Sequence, residues 1–389
     1  MSMALTTDEQ GLIPVGDIGI IALRGCEEMV KKIDNYLLDW HHSRRFRLLL
    51  DDNEAGYVNT FQINAVCPRF GTGEGKGLIK ETIRGKDLYL ICDPFNYGVT
   101  YSMYGQTVPM SPDDHFQDLK RVISAIGGKA RRLTVIMPML YEGRQHRRAA
   151  RESLDCAMAL QELVSMGVSN IITFDAHDSR VQNAVPLEGF ESISTAYQMI
   201  KAMVHNVEDL HIDKEKMLIV SPDEGGMSRS MYFSSVLGLD LGMFYKRRDY
   251  SVIVGGRNPI ISHDFLGRDV AGKDVIVVDD MISSGDSMLD VAAQLKARKA
   301  KRIFVFATFG LFCNGLEKFD EAYTEGIIDK VFTTNLIYIT PELAARQWHV
   351  TVDMSKYIAL IIDTLAYDKS LSVVLNPVER IKKLLKTLE

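Results

Sequence analysis

Short runs of branched apolar residues alternate along this chain with longer stretches in which apolar residues recur every three or four positions. That rhythm predicts parallel strands joined by crossover helices. GDIGIIAL at 16–23 reads as a strand, and EEMVKKIDNYLLDW at 27–40 as the helix returning from it. HFQDLKRVISAIGG (115–128) puts Phe116, Leu119, Val122, Ile123 and Ile126 on one face ahead of a glycine stop, and LTVIMPML (133–140) follows as the next strand. RESLDCAMALQELVSMG (151–167) repeats the device, with Ser153 as the expected cap and Gly167 as the terminator.

Five further apolar runs end in polar or glycine-rich residues: IITFDAH (171–177), MLIVSPDEGG (217–226), LGMFYKRR (241–248), VIVVDDM (275–281) and RIFVFATF (302–309). In open parallel sheets ligands bind beyond the carboxyl ends of the strands, so the residues after these runs are where chemistry is expected. The sequence has 389 residues, 46% of them apolar, which is enough for two hydrophobic cores and favours two domains.

Charge and cysteines narrow the class. The formal net charge is -6, with no long basic run, which argues against a nucleic-acid partner. Five cysteines, odd in number and never spaced CxxC, suggest neither a disulfide framework nor a zinc knuckle. No stretch of 18 apolar residues occurs, and the start, MSMALTTDEQ, is too acidic for a secretory signal. A cytoplasmic protein without a membrane partner is expected.

The densest chemistry lies in VIVVDDMISSGDSM (275–288). Asp279 and Asp280 end a strand, and SSGDS opens the helix predicted for SMLDVAAQLKARKA (287–300). Small residues at a helix start leave backbone N–H groups pointing outward, where they favour a phosphate, and Ser283, Ser284 and Ser287 add hydroxyl donors. The carboxylates would repel that phosphate but can accept hydrogen bonds from sugar hydroxyls nearby. The alternative is an acidic first turn that stabilises the helix dipole, with serines as caps.

This stretch resembles the PRPP-binding motif of type I phosphoribosyltransferases and of ribose-phosphate pyrophosphokinases, with Asp286 standing where glycine is usual. Five other segments resemble the pyrophosphokinases, in the same order along the chain. They are PRFGTGEGKGLIKETIRGKDLYLI (68–91), YEGRQHRRAARES (141–153), FDAHD (174–178) and the pair SPDEGG (221–226) and FYKRRD (244–249). His146 stands where these enzymes usually have aspartate. Taken singly, each segment also reads as a tight turn, a solvated basic loop or a structural histidine.

The resemblance implies an α/β fold of two phosphoribosyltransferase-like domains, each a mainly parallel sheet flanked by helices. The first spans 1–196, with a C-terminal helix over 353–389 packing back on it, and the second spans 197–352. It implies ATP binding by Phe70, Glu74, Arg144, Gln145 and His177, with Phe70 and Glu74 reaching an adjacent subunit. It implies ribose 5-phosphate binding by Asp279, Asp280, Ser283, Ser284, Gly285, Asp286 and Ser287, and a pyrophosphate loop of Asp223, Glu224, Gly225 and Gly226. Magnesium (Mg2+) would meet His177 and Asp223, Lys246 and Arg248 would be catalytic, and the chain would be a homo-oligomer, dimer or hexamer. The implied reaction moves the β,γ-diphosphoryl group of Mg-ATP to the C1 hydroxyl of ribose 5-phosphate. A phosphoribosyltransferase that consumes PRPP and a catalytically silent regulatory homologue are the alternatives.

Overall fold

The computed structural model describes residues 14–47, 58–248 and 260–387, with the side chains of 45–47, 246–248 and 260–263 outside that description. The chain divides into two compact units. One runs to Ser194 and includes Leu336–Tyr338 and Asp353–Asn376; the other comprises Thr195–Asn335, Ile339–Val352 and the residues from Pro377 onward.

The first unit is built on β1 (Asp17–Ala22), α1 (Glu27–Arg47), a small ribbon of β2 (Ala65–Val66) and β3 (Leu78–Ile79), and β4 (Lys86–Ile91). A hairpin, β5 (Thr100–Met103) and β6 (Gln106–Pro109), precedes α2 (Pro112–Ile126), β7 (Arg132–Ile136), α3 (Asp155–Ser165), β8 (Asn170–Phe174) and β9 (Gly189–Ile193). The order β1-β4-β7-β8-β9 is parallel throughout. Its strand ends therefore open on one edge. All five apolar residues predicted for one face of α2 are buried. Ser111 and Asp114 close a reciprocal capping box at its start, and Gly127 ends it in the left-handed conformation. Ser153 does not cap α3. Its hydroxyl donates to Asp155, and Leu154 holds the cap position without a side-chain bond.

The second unit contains α4 (Ala196–Asn206), β10 (Met217–Ser221), α5 (Met227–Leu237), β11 (Asp240–Arg248), β12 (Ile260–Leu266) and β13 (Asp274–Ile282). It continues with α6 (Asp286–Ala297), β14 (Ile303–Gly310), α7 (Glu317–Thr324), β15 (Lys330–Thr334), α8 (Pro341–Ala344) and β16 (His349–Val352). The sheet order is β12-β11-β10-β13-β14-β15-β16, parallel except for the antiparallel edge strand β12. The expected single helix over 353–389 is three: α9 (Ser355–Ala366), α10 (Ser372–Leu375) and α11 (Val378–Leu385). Asp368 turns left-handed after α9, and Pro377 holds Asn376 in an extended conformation before α11. The first two helices belong to the first unit and α11 to the second.

Each sheet is pinned near the starts of its strands by a buried carboxylate. Asp87 on β4 is held by the guanidinium groups of Arg131 and Arg132, and Asp274 on β13 accepts two bonds from Arg302, at 3.0 and 2.6 Å. Breaking such a buried pair from one side leaves a charge unpaired and costs about 3–5 kcal/mol.

Beyond β4, the buried Asp93 accepts the Phe95 N–H at 3.0 Å and the Tyr338 N–H at 2.8 Å, tying a distant segment into the first unit. Burial pushes its carboxyl up to about 7 despite those two donors. A carboxyl raised in the folded state contributes stability that is complete below its unfolded pKa of about 4 and is lost as pH rises through the folded value. Asp93→Asn is expected to cost about 1–3 kcal/mol, because the amide cannot accept from Tyr338 as the carboxylate does. It should also flatten the decline in stability between roughly pH 4 and pH 7. Denaturant melts of both proteins across that range check this; an equal slope in the variant would remove Asp93 as its source.

Candidate active site

β10 lies between β11 and β13, so three of the predicted segments leave neighbouring strands of one sheet. Lys246 and Arg248 fall in the last turn of sequence of β11, opposite β12, with Lys246 in register with His263. Their side chains, and the glycine-bearing segment 251–259, lie outside the described residues.

After β10, the Ser221 hydroxyl donates to the Asp223 carbonyl, and Asp223 Oδ1 accepts the N–H groups of Gly225 at 2.9 Å and Gly226 at 3.2 Å. The amides expected to meet an oxyanion thus meet the loop's own aspartate, which closes a turn two residues ahead of it. A side-chain carbon at Gly226 would stand 3.0 Å from Ser221 Oγ and 3.4 Å from the Val278 carbonyl, so glycine lets the loop lie against β13. Glu224 is exposed.

β13 continues to Ile282, in register with Gly310 of β14, so Asp279 and Asp280 lie within the strand. Asp280 is only 4% exposed. Asp279 Oδ1 accepts the Asp280 N–H at 2.9 Å and stands 3.9 Å from Arg229 Nη1 on α5. Burial, and then the neighbouring Asp280 carboxylate, push the Asp279 carboxyl well above its usual range, and Arg229 offsets this in part. The loop that follows carries half-buried Ser283 and Ser284, buried Gly285, and exposed Asp286 and Ser287. Gly285 has φ 87° and forms the left-handed cap of α6. The first-turn amides of α6 have no intrahelical acceptor, which suits them to an anion. Asp286 donates its N–H weakly to Ser284 Oγ, at 3.4 Å.

Arg229 escaped the sequence reading. A cation in the first turn of a helix opposes the helix dipole, and that mismatch directly after SPDEGG is the signal that would have found it.

In the first unit, Phe70 and Glu74 occupy the tip of the β2–β3 ribbon. The Phe70 N–H donates to the Glu74 carbonyl at 2.7 Å, and Phe70 is 55% exposed. Beside them Arg69 is buried against Asp118 of α2, to which Arg121 also donates, and its guanidinium lies over the Tyr101 ring. Tyr104, 77% exposed at the tip of β5–β6, donates its N–H to the Gly71 carbonyl. The aromatic-rich segment 94–109 therefore braces the ribbon that presents Phe70.

At the edge of the same sheet, Arg144 is exposed, and the Gln145 amide donates to the Ser153 carbonyl at 2.9 Å, fastening its own loop. The rings of His146 and His177 stand 5.5 Å apart. His146 Nε2 lies 3.4 Å from Asp178 Oδ2. Arg180 grips Asp178 through two nitrogens and holds its carboxyl far below the ordinary range. His146 thus faces a carboxylate that the β8 loop supplies. Among the described residues no group of three or more His, Cys, Asp or Glu side chains is arranged to hold a metal, and no helix is long and apolar enough to cross a membrane.

Paired aspartates on a parallel strand that runs through serines and glycine into a helix place the second unit among phosphoribosyltransferase-type folds. The pattern of the N-terminal domain of ribose phosphate pyrophosphokinase matches residues 18–167, and that of the phosphoribosyl transferase domain matches residues 190–328. The chain belongs to the ribose-phosphate pyrophosphokinase family. It is 29% identical over 322 residues to the ribose-phosphate pyrophosphokinase of Vibrio cholerae, covering 80% of this chain and 91% of that protein. It is 29% identical over 327 residues to that of Mycoplasma genitalium, covering 83% and 90%. The fold is similar to that of phosphoribosylpyrophosphate synthetase from Mycobacterium smegmatis, with a TM-score of 0.68 at 19% identity over 90% of this chain and 99% of that one. The expected fold class and family both hold.

A raised carboxyl destabilises the fold as pH climbs, so Asp279→Asn is expected to raise the thermal midpoint at neutral pH by a few degrees while weakening affinity for ribose 5-phosphate. Scanning calorimetry and titration calorimetry read the two effects separately. A variant with a lower midpoint and unchanged affinity would place Asp279 among structural residues instead.

Proposed function

We propose that the protein is a ribose-phosphate diphosphokinase, transferring the β,γ-diphosphoryl group of Mg-ATP to the C1 hydroxyl of ribose 5-phosphate to give PRPP and AMP. The observation that carries this reading is that both halves of the chain match the family, including the 18–167 half that simple phosphoribosyltransferases lack.

Such a transfer needs positioning and charge neutralisation more than covalent help from the protein. In the second unit, Asp279 and Asp280 accept hydrogen bonds from the ribose hydroxyls, and the 283–287 loop receives the 5-phosphate on the first-turn amides of α6. Arg229 keeps Asp279 available as an acceptor. In the first unit, Arg144 presents an exposed planar guanidinium to adenine or phosphate. Gln145 follows it in the chain, His177 faces the ring of His146, and Phe70 and Glu74 sit on the braced ribbon. Phe70 and Glu74 serve an adjacent copy in a homo-oligomer.

Magnesium in phosphoryl-transfer sites is held by one or two carboxylates together with substrate phosphates and water, so it requires no three-residue cage. Asp223 is the residue of the second unit that would meet such an ion, and His177 that of the first. The ion would supply charge neutralisation on the phosphate oxygens. Lys246 and Arg248 offset charge developing on the transferred group.

Purified protein mixed with ribose 5-phosphate and Mg-ATP is expected to form AMP. A phosphoribosyltransferase or a silent homologue would form none. Lys246→Ala should lower turnover on the order of a thousandfold, with ribose 5-phosphate binding retained in calorimetry. Unchanged turnover would take the catalytic role away from Lys246.

A further inference from the structure

Helix α7 packs directly on the sugar-phosphate loop. A side-chain carbon at Gly285 would lie 2.3 Å from Phe319 Cε2, so glycine is required there both for its positive φ and for the approach of that ring. The residue before Phe319 is Lys318. Its Nζ donates to Asp286 Oδ1 at 2.6 Å, across 32 residues of sequence.

Asp286 is the first residue of α6. A free carboxylate on this residue would lie close to the amides and the dipole that favour an incoming phosphate, and would compete with that anion and repel it. Lys318 opposes this in two ways. It adds the missing positive charge, and it ties the carboxylate to α7. The Asp286 carboxyl is held below its ordinary range chiefly by the Lys318 hydrogen bond. Both side chains are more than half exposed, 60% and 52%, and an ion pair that open to water adds little to stability. Fold stability therefore gives no account of the pair, whereas anion binding does.

We propose that Lys318 is a positioning residue of the ribose 5-phosphate loop: it neutralises Asp286 and holds its carboxylate toward α7, leaving the start of α6 to the phosphate. This rests on the assignment of the 283–287 loop to ribose 5-phosphate. It makes Asp286 and Lys318 a matched pair, harmful when separated.

The test is titration calorimetry of ribose 5-phosphate into the full-length protein and its Lys318→Ala, Lys318→Arg, Asp286→Gly and doubly substituted variants, with thermal midpoints measured alongside. Left without its counter-charge, the Asp286 carboxylate at the start of α6 repels the phosphate, and this is expected to weaken binding about tenfold. Lys318→Arg should restore most of that loss. Lys318→Ala made in the Asp286→Gly background should have little effect, because there is no carboxylate left to neutralise. In steady-state assays the loss should appear in KM for ribose 5-phosphate and not in kcat, with midpoints unchanged. Undiminished binding by Lys318→Ala overturns the proposal, and so does a full tenfold loss in the Asp286→Gly background. Failure of the unsubstituted protein to bind ribose 5-phosphate overturns the assignment of the loop itself, and the proposal with it.

Discussion

Two carboxylates on consecutive residues of a buried strand impose the governing constraint on the second unit. Asp279 and Asp280 cannot both shed their protons cheaply where water is excluded, and the Asp279 carboxyl is raised well above its usual range as a result. The surroundings answer this only in part, with the Asp280 backbone N–H and the nearby Arg229 guanidinium. The strand holds the two acids side by side along the backbone, and α5 delivers Arg229 to the first of them.

The two units share a plan beyond their strand order. Each has a buried aspartate near the start of a central strand gripped by arginine from the next, Asp87 in one and Asp274 in the other. Polar functional residues collect at the opposite ends of the same strands. The separation has a physical logic. The fixed ion pair anchors strand register at one end, and polar loop residues gather at the other.

Periodicity carried most of the fold. The apolar runs ending at Ile136, Phe174, Ser221 and Ile282 became parallel strands because both faces of such strands are covered and no alternation is needed. The edge strand β12 was not legible, since IISHDFL alternates too weakly to announce itself, and the hairpin at 100–109 was hidden because its turn is Tyr104–Gly105 and not the Asn-Gly expected of such turns. Candidate residues at or just beyond the end of an apolar run, such as Asp223 and Asp279, were legible. Their electrostatic partners were not. Arg229 for Asp279, Asp178 for His146 and Lys318 for Asp286 come from other elements, and only tertiary packing decides such pairings. Both departures from the family pattern, His146 and Asp286, turn out to face a residue of opposite charge or compatible hydrogen bonding.

Beneath the loop that caps α6, Phe312, Phe319 and Trp348 form a closed aromatic cluster, and the Trp348 indole N–H donates to Asp320 at 2.7 Å. The sequence has one other tryptophan, Trp40, which stacks on Tyr36 along α1 in the first unit. Each half of the molecule thus carries a single tryptophan in a distinct setting, one sealed among rings and one along a helix. The emission of the two can be separated by replacing either indole, so the melting of each half has its own optical signature.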